Sequence, residues 1–141
     1  MTDTGKYSVL VVDDDVFYLT ALVHTLQPDY AIYVAKDGEN AIRIANEKKP
    51  DVVILDLLIR GMDGYDVINE LKKSERTRDI PIIIITGLDK HEAEEKVLAL
   101  GATDVMTKPL HFSVVKLKIQ SLMNLVGRDR HKAFTANPVP S

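Results

Sequence analysis

Three short runs of almost unbroken aliphatic residues constrain this chain more than any other feature: Tyr7 to Val12 (YSVLVV), Asp51 to Leu55 (DVVIL) and Ile80 to Thr86 (IPIIIIT). They are nearly continuous and β-branched, which fits strands buried on both faces of a parallel sheet. Tyr30 to Ala35 (YAIYVA) is more mixed and reads as an edge strand. Thr103 to Thr107 (TDVMT) is a weaker fifth candidate. Helical periodicity fills the gaps. Val16, Leu19, Leu22, Val23 and Leu26 share a face of a first helix, which Pro28 stops. Ala41, Ile44 and Ala45 mark a second helix, from Gly38 to about Lys48. Tyr65, Ile68 and Leu71 mark a third, to about Ser74. Ala93, Val97 and Leu100 mark a fourth, with Gly101 as C-terminal cap. Val115, Ile119, Leu122 and Val126 mark a fifth, expected to end at Gly127.

Strand followed by helix, five times over, predicts a single α/β domain with a parallel sheet and helices on both faces. The 141 residues suffice for one such domain and a short tail. We expect the domain in residues 1–127. Residues 128–141, with two prolines and no periodicity, read as a tail or the start of a linker to a missing domain. The absence of cysteine excludes disulfides, a thiol nucleophile and a thiolate zinc site. A net charge of −3 predicts no nucleic-acid binding, and no apolar run is long enough to span a bilayer. The polar start lacks the order of a secretory signal, so a cytoplasmic location is expected.

In an open parallel sheet the ligand site lies beyond the carboxyl ends of the strands. The residues there are Asp13, Asp14 and Asp15 after the first strand, Asp56 after the third, Thr86 and Gly87 after the fourth, and Lys108 and Pro109 after the fifth. Each has an ordinary explanation alone. An aspartate caps a helix, a threonine ends a strand, and a lysine is solvated. Asp56, however, is followed by Leu57, Leu58 and Ile59, and a carboxylate embedded in apolar sequence must be paired or bind something. Clustered carboxylates repel, and a divalent cation such as Mg²⁺ resolves the repulsion while accepting phosphate oxygens. A lysine and a hydroxyl on the same rim complete a site suited to a phosphoryl group in transfer, with an aspartate as nucleophile.

The motifs VLVVDDD, DVVILDLLIRGMDGYDVI, PIIIITG and GATDVMTKPL, in this order and spacing, resemble the receiver domain of two-component response regulators, over roughly residues 7–126. The resemblance implies a doubly wound fold with strand order 2-1-3-4-5. It implies that Asp56 accepts a phosphoryl group, in a Mg²⁺-dependent reaction, from the phosphohistidine of a sensor kinase or phosphotransfer protein. Asp14 would be the direct metal ligand, Asp13 would act mainly through water, and the Leu58 carbonyl would complete the shell with Asp56. Thr86 would hydrogen-bond the phosphoryl oxygen, with Gly87 giving space and a mobile backbone beside it. Lys108 would pair with Asp56 and then with the phosphoryl group, and the Lys108–Pro109 peptide would be cis. Such a domain turns over no metabolite. It switches the surface of its fourth and fifth helices, where Val114, Leu117 and Leu125 leave an outer apolar face for a partner, a second copy or a missing effector domain.

Three features depart from the family or bias its chemistry. Ile59–Arg60 replaces a common Met-Pro and adds a cation near the site. Val105 stands where many relatives carry an aromatic ring, which puts the usual ring movement in doubt. Leu58 and Leu88 put apolar bulk beside the site, predicting a long-lived phospho-aspartate. Asp15 is expected to cap the first helix, and Asp37–Gly38 and Asp63–Gly64 to form turns. His24, His91 and His111 read as surface or capping residues, and Met62 and Met106 as packing. A haloacid-dehalogenase-like phosphatase would need a late acidic motif that the sequence lacks. A flavodoxin-like carrier would need a phosphate-cradling first loop where this one is acidic. A phosphorylation-independent interaction module is the remaining alternative, and the intact set of Asp13, Asp14, Asp56, Thr86 and Lys108 weighs against it.

Overall fold

The computed structural model describes residues 6–87 and 90–134. Five strands alternate with five helices: β1 Ser8–Val12, α1 Val16–Leu26, β2 Ala31–Ala35, α2 Gly38–Lys48, β3 Val52–Asp56, α3 Gly64–Lys73, β4 Ile82–Thr86, α4 Lys90–Ala99, β5 Asp104–Thr107 and α5 Phe112–Phe134. All pairings are parallel and the order is β2-β1-β3-β4-β5, so β2 lies at an edge as its mixed composition predicts.

The period-2 alternation of side chains sorts each central strand between two cores. Leu10, Val12, Val53, Leu55, Ile82 and Ile84 pack beneath α2, α3 and α4. Val9, Val11, Val52, Ile54, Ile83 and Ile85 pack beneath α1 and α5. Both sets are at most 1% exposed. This explains the unbroken apolar runs: a strand with helices on both faces has no polar side. Each such side chain contributes ~1.5–3 kcal/mol by leaving water.

Helix boundaries follow local chemistry. Asp15, Asp37 and Asp63 are the N-caps of α1, α2 and α3, accepting from the amides of Phe17, Asn40 and Tyr65. Gly101, at φ +108°, closes α4 as expected. Gly64 matters for its size more than for turn freedom. A Cβ there would stand 2.7 Å from the Leu57 backbone.

Two expectations are corrected. Val16 opens α1 and is 62% exposed, because the buried stripe of the helix begins only at Leu19. The fifth helix does not stop at Gly127 but runs to Phe134. Glycine within a helix costs only ~1 kcal/mol, and the following Arg, Lys and Ala residues are good helix formers. At Gly127 the missing side chain admits Tyr7, whose hydroxyl would lie 2.8 Å from a Cβ. Residues 135–141 of the expected tail, and Leu88, lie outside the described residues. No helix among the described residues is long and apolar enough to cross a membrane.

Candidate functional site

The chain leaves β1 for β2 on one side and returns across it to β3, so the connections after β1 and β3 diverge and leave a crevice at their carboxyl ends. Asp56 ends β3, and Asp13 and Asp14 follow β1 on the adjacent strand. The Asp13 amide donates to the Ala35 carbonyl at 3.1 Å, and the Leu57 amide to Ile85 at 3.0 Å, which ties both turns to neighbouring strands. One carboxylate oxygen from each of Asp13, Asp14 and Asp56 lies within 4.8 Å of the others. Thr86, fully buried, ends β4, and Lys108 follows β5 with its amide bonded to the Thr86 carbonyl at 2.9 Å. Gly87 is exposed and has open space around its α-carbon. The Lys108–Pro109 peptide is cis, as expected.

Lys108 bridges the carboxylates. Its Nζ donates to Asp56 Oδ2 at 2.9 Å and lies 3.2 Å from Asp13 Oδ2. Asp56 Oδ1 accepts from the Leu58 amide at 3.0 Å. Asp13 Oδ1 accepts from the Asp15 amide at 2.9 Å, while its Oδ2 is buried with no hydrogen bond of good geometry. Asp13 and Asp56 are almost fully buried, and the Asp14 side chain is about a quarter exposed. Burial pushes the Asp13 carboxyl up to about 6. The Asp15 amide opposes the rise, the charge of Asp56 adds to it, and Lys108 opposes it. Burial pulls the Lys108 ammonium down, but its hydrogen bond and charge interaction with Asp56, and the charge of Asp13, outweigh that and raise its pKa above the ordinary value. Lys108 is therefore a permanent cation at the rim.

Three carboxylates with one oxygen each in a small volume form an all-oxygen donor set, the type Mg²⁺ prefers. Asp13 Oδ2, buried and ion-paired with Lys108 at 3.2 Å but without a hydrogen bond of good geometry, keeps capacity for a further cation. The residues fit the ion.

Sequence reasoning placed Asp13, Asp14, Asp56, Thr86, Gly87 and Lys108 on one rim, and all are there. It also placed a cation nearby. Arg60 Nε lies 3.8 Å from Asp14 Oδ2, and its backbone bridges to Asp37. It missed Tyr18, whose ring lies 4.3 Å from Lys108 Nζ. Periodicity marks Tyr18 only as a residue near the start of α1, and no sequence signal tells which strand end its ring will meet. Among the departures, Val105 is buried in the α4 side of the core with no ring to move. His24, His91 and His111 are exposed as expected, and Met106 is buried.

Residues 9–120 match the family model of the response regulator receiver domain. The chain is 36% identical over 115 residues to the response regulator PleD of Caulobacter vibrioides, which covers 81% of this chain and 25% of that protein. It is 33% identical over 116 residues to the alkaline phosphatase synthesis transcriptional regulatory protein PhoP of Bacillus subtilis, covering 82% and 48%. It is 32% identical over 130 residues to a probable cyclic di-GMP phosphodiesterase of Vibrio cholerae, covering 92% and 30%. The chain thus spans a quarter to about half of the length of these relatives. In structure it is similar to the chemotaxis response regulator CheY4 of Vibrio cholerae, with a TM-score of 0.78 at 27% identity over 83% of this chain and 98% of the other.

Proposed function

We propose a phosphoacceptor function from one premise: this chain belongs to the response-regulator receiver family, the signal-transduction modules of two-component systems. In this reading Asp56 takes a phosphoryl group from the phosphohistidine of a sensor kinase or phosphotransfer protein. The observation that carries it is the position of Asp56, a buried carboxylate held on one oxygen by Lys108 and on the other by the Leu58 amide, beside two further carboxylates.

The chemistry follows from the residues. A carboxylate oxygen of Asp56 forms a bond to phosphorus as the donor's nitrogen–phosphorus bond breaks, and the electron pair leaves with the imidazole. Lys108 neutralises the charge that grows on the phosphoryl oxygens, and the Thr86 hydroxyl and the Gly87 amide supply hydrogen bonds. Asp13, Asp14, Asp56 and the Leu58 carbonyl would hold Mg²⁺, which when bound supplies charge neutralisation that the single lysine does not. The same site later loses phosphate to water. No metabolite is turned over.

Phosphate adds charge at the strand ends and biases a two-state surface formed by α4 and α5, and it shifts that balance only by its differential interaction with the two states. The exposed Val114, Leu117 and Leu125 on α5 suit a partner, a second copy or an effector domain. Relatives in which the matched segment makes up only a quarter to about half of the length support the last of these, with residues 1–127 as the receiver and 128–141 leading away from it. A cytoplasmic location suits contact with the kinase.

The test is intact-mass measurement after incubation with Mg²⁺ and a small acyl or amido phosphate. One phosphate adduct is expected, absent in Asp56→Asn and absent with a chelator. No adduct, or one independent of Mg²⁺, would favour the phosphorylation-independent module.

A further inference from the structure

Among the described residues, the Lys108 ammonium faces an aromatic ring as well as two carboxylates. Asp56 Oδ2 lies at 2.9 Å, Asp13 Oδ2 at 3.2 Å, and the centre of the Tyr18 ring at 4.3 Å. The Lys108 side chain is 17% exposed, so little water competes for its charge. An aromatic face attracts a cation through its quadrupole, and more strongly where both are shielded from water. Lysine has four rotatable bonds and a compact charge, so two carboxylates alone leave it free to swing between them. A third, flat neighbour removes that freedom.

The position of Tyr18 follows from the helix. α1 begins at the rim, and helical side chains tilt toward the helix N-terminus. A ring near the start of α1 is therefore directed back at the strand ends. Phe17 meets it edge-on, at 5.2 Å between centroids and 85°. Phe112, the first residue of α5, lies at 6.3 Å and 39°. Tyr18 thus touches the charged centre of the site and the first turn of α5.

We propose that Tyr18 is a positioning residue of this site: its ring seats Lys108 for phosphoryl transfer and passes the movement of Lys108 to Phe112 and the start of α5. The proposal rests on the phosphoacceptor reading. Once Asp56 carries phosphate, charge and oxygen atoms extend beyond the carboxylate, and Lys108 follows them. Its ammonium then shifts over the Tyr18 face, and the ring settles differently against Phe112. Val105, buried and aliphatic, offers β5 no ring to swing. The aromatic element in contact with the site sits on α1 and α5 instead.

The test compares wild type, Tyr18→Phe and Tyr18→Leu in the full chain, each first shown to melt cooperatively. The Lys108 ε-methylene resonance is expected upfield through the ring current in wild type and Tyr18→Phe, and near its ordinary position in Tyr18→Leu. Mg²⁺-dependent phosphorylation by a small donor is expected to slow roughly 2- to 30-fold in Tyr18→Leu and little in Tyr18→Phe. With a beryllium-fluoride mimic, the Val114 and Val115 amide signals are expected to move in wild type and Tyr18→Phe but much less in Tyr18→Leu. A Tyr18→Leu protein phosphorylated at the wild-type rate, with α5 signals that move as in wild type, would overturn the proposal. So would a Tyr18→Phe protein as impaired as Tyr18→Leu, because the ring would not be what matters. A wild-type chain that takes no phosphate on Asp56 refutes the phosphoacceptor reading itself, a different result from either.

Discussion

Replacing Asp13 by asparagine in the metal-free protein is expected to stabilise it increasingly as pH rises. The Asp13 carboxyl is pushed up to about 6 from 3.8, first by burial, against the pull of the Asp15 amide, with the charge of Asp56 adding to the rise and Lys108 opposing it. A raised folded-state pKa means that the native protein holds this proton more tightly than the unfolded chain does. Falling pH therefore favours the native state through this group. Stability is lost as pH rises from about 3.8 to about 6, and the loss is complete above. The full difference of about 2.2 pH units corresponds to about 3 kcal/mol. Asparagine keeps an oxygen for the Asp15 amide at 2.9 Å and removes the charge, while Lys108 keeps Asp56 at 2.9 Å. The attraction between ionised Asp13 and Lys108 is already contained in the shift to about 6, so it is not subtracted a second time. The pH-dependent part survives: between about pH 4.5 and 8 the stability of Asp13→Asn relative to wild type is expected to grow by about 2 kcal/mol. Urea unfolding of both proteins in chelator, at several pH values and with matched m-values, measures it. Added Mg²⁺ is then expected to stabilise wild type far more than the variant, through binding to the folded state alone. A stability difference that does not change with pH would refute the reasoning, because Asp13 would then carry no burial penalty for its charge.

Three smaller perturbations probe the surroundings. Gly64→Ala places a Cβ 2.7 Å from the Leu57 α-carbon and carbonyl oxygen, both backbone, so a loss of ~1–3 kcal/mol is expected in urea unfolding; wild-type stability would mean that α3 shifts freely. Arg60→Gln removes a cation 3.8 Å from Asp14, and since Arg60 is largely exposed only a roughly two- to threefold gain in Mg²⁺ affinity is expected. Calorimetric titration should show that gain at low salt and lose it at high salt, and equal affinities at low salt would count against the contact. Leu58→Asn replaces apolar bulk, 56% exposed beside Asp56, with a group able to hold water; faster loss of phosphate from Asp56 is expected by intact-mass time course, and an unchanged lifetime would remove the shielding role.

Much of the architecture was legible in the chain because it rests on short-range patterns. Apolar runs such as Ile82 to Ile85 have no polar alternation, and only a strand covered on both faces accepts that. Leu19, Leu22 and Leu26 recur at helical spacing and are buried accordingly. The rim was legible too, because residues that end parallel strands share one edge whatever the details of packing. Asp13, Asp56, Thr86 and Lys108 needed no contact information to be placed together.

What the tertiary structure decided is everything that depends on direction and distance between elements far apart in sequence. Val16 continues the apolar face of α1 in pattern, yet it is left in water while Leu19, one turn on, is buried. Gly127 looks like a helix end, yet α5 passes through it, and the space of its missing side chain is taken by Tyr7 from the far end of the chain. The shift of Asp13 to about 6 arises from burial among groups brought together from the turn after β1, the end of β3 and the loop after β5. Tyr18 lies under Lys108, ninety residues away in sequence, because the start of α1 and the end of β5 converge on the same crevice. Local sequence sets which elements form and what they carry to their ends; the packing of those elements sets which charges are desolvated and which ring faces which cation, and the chemistry depends on both.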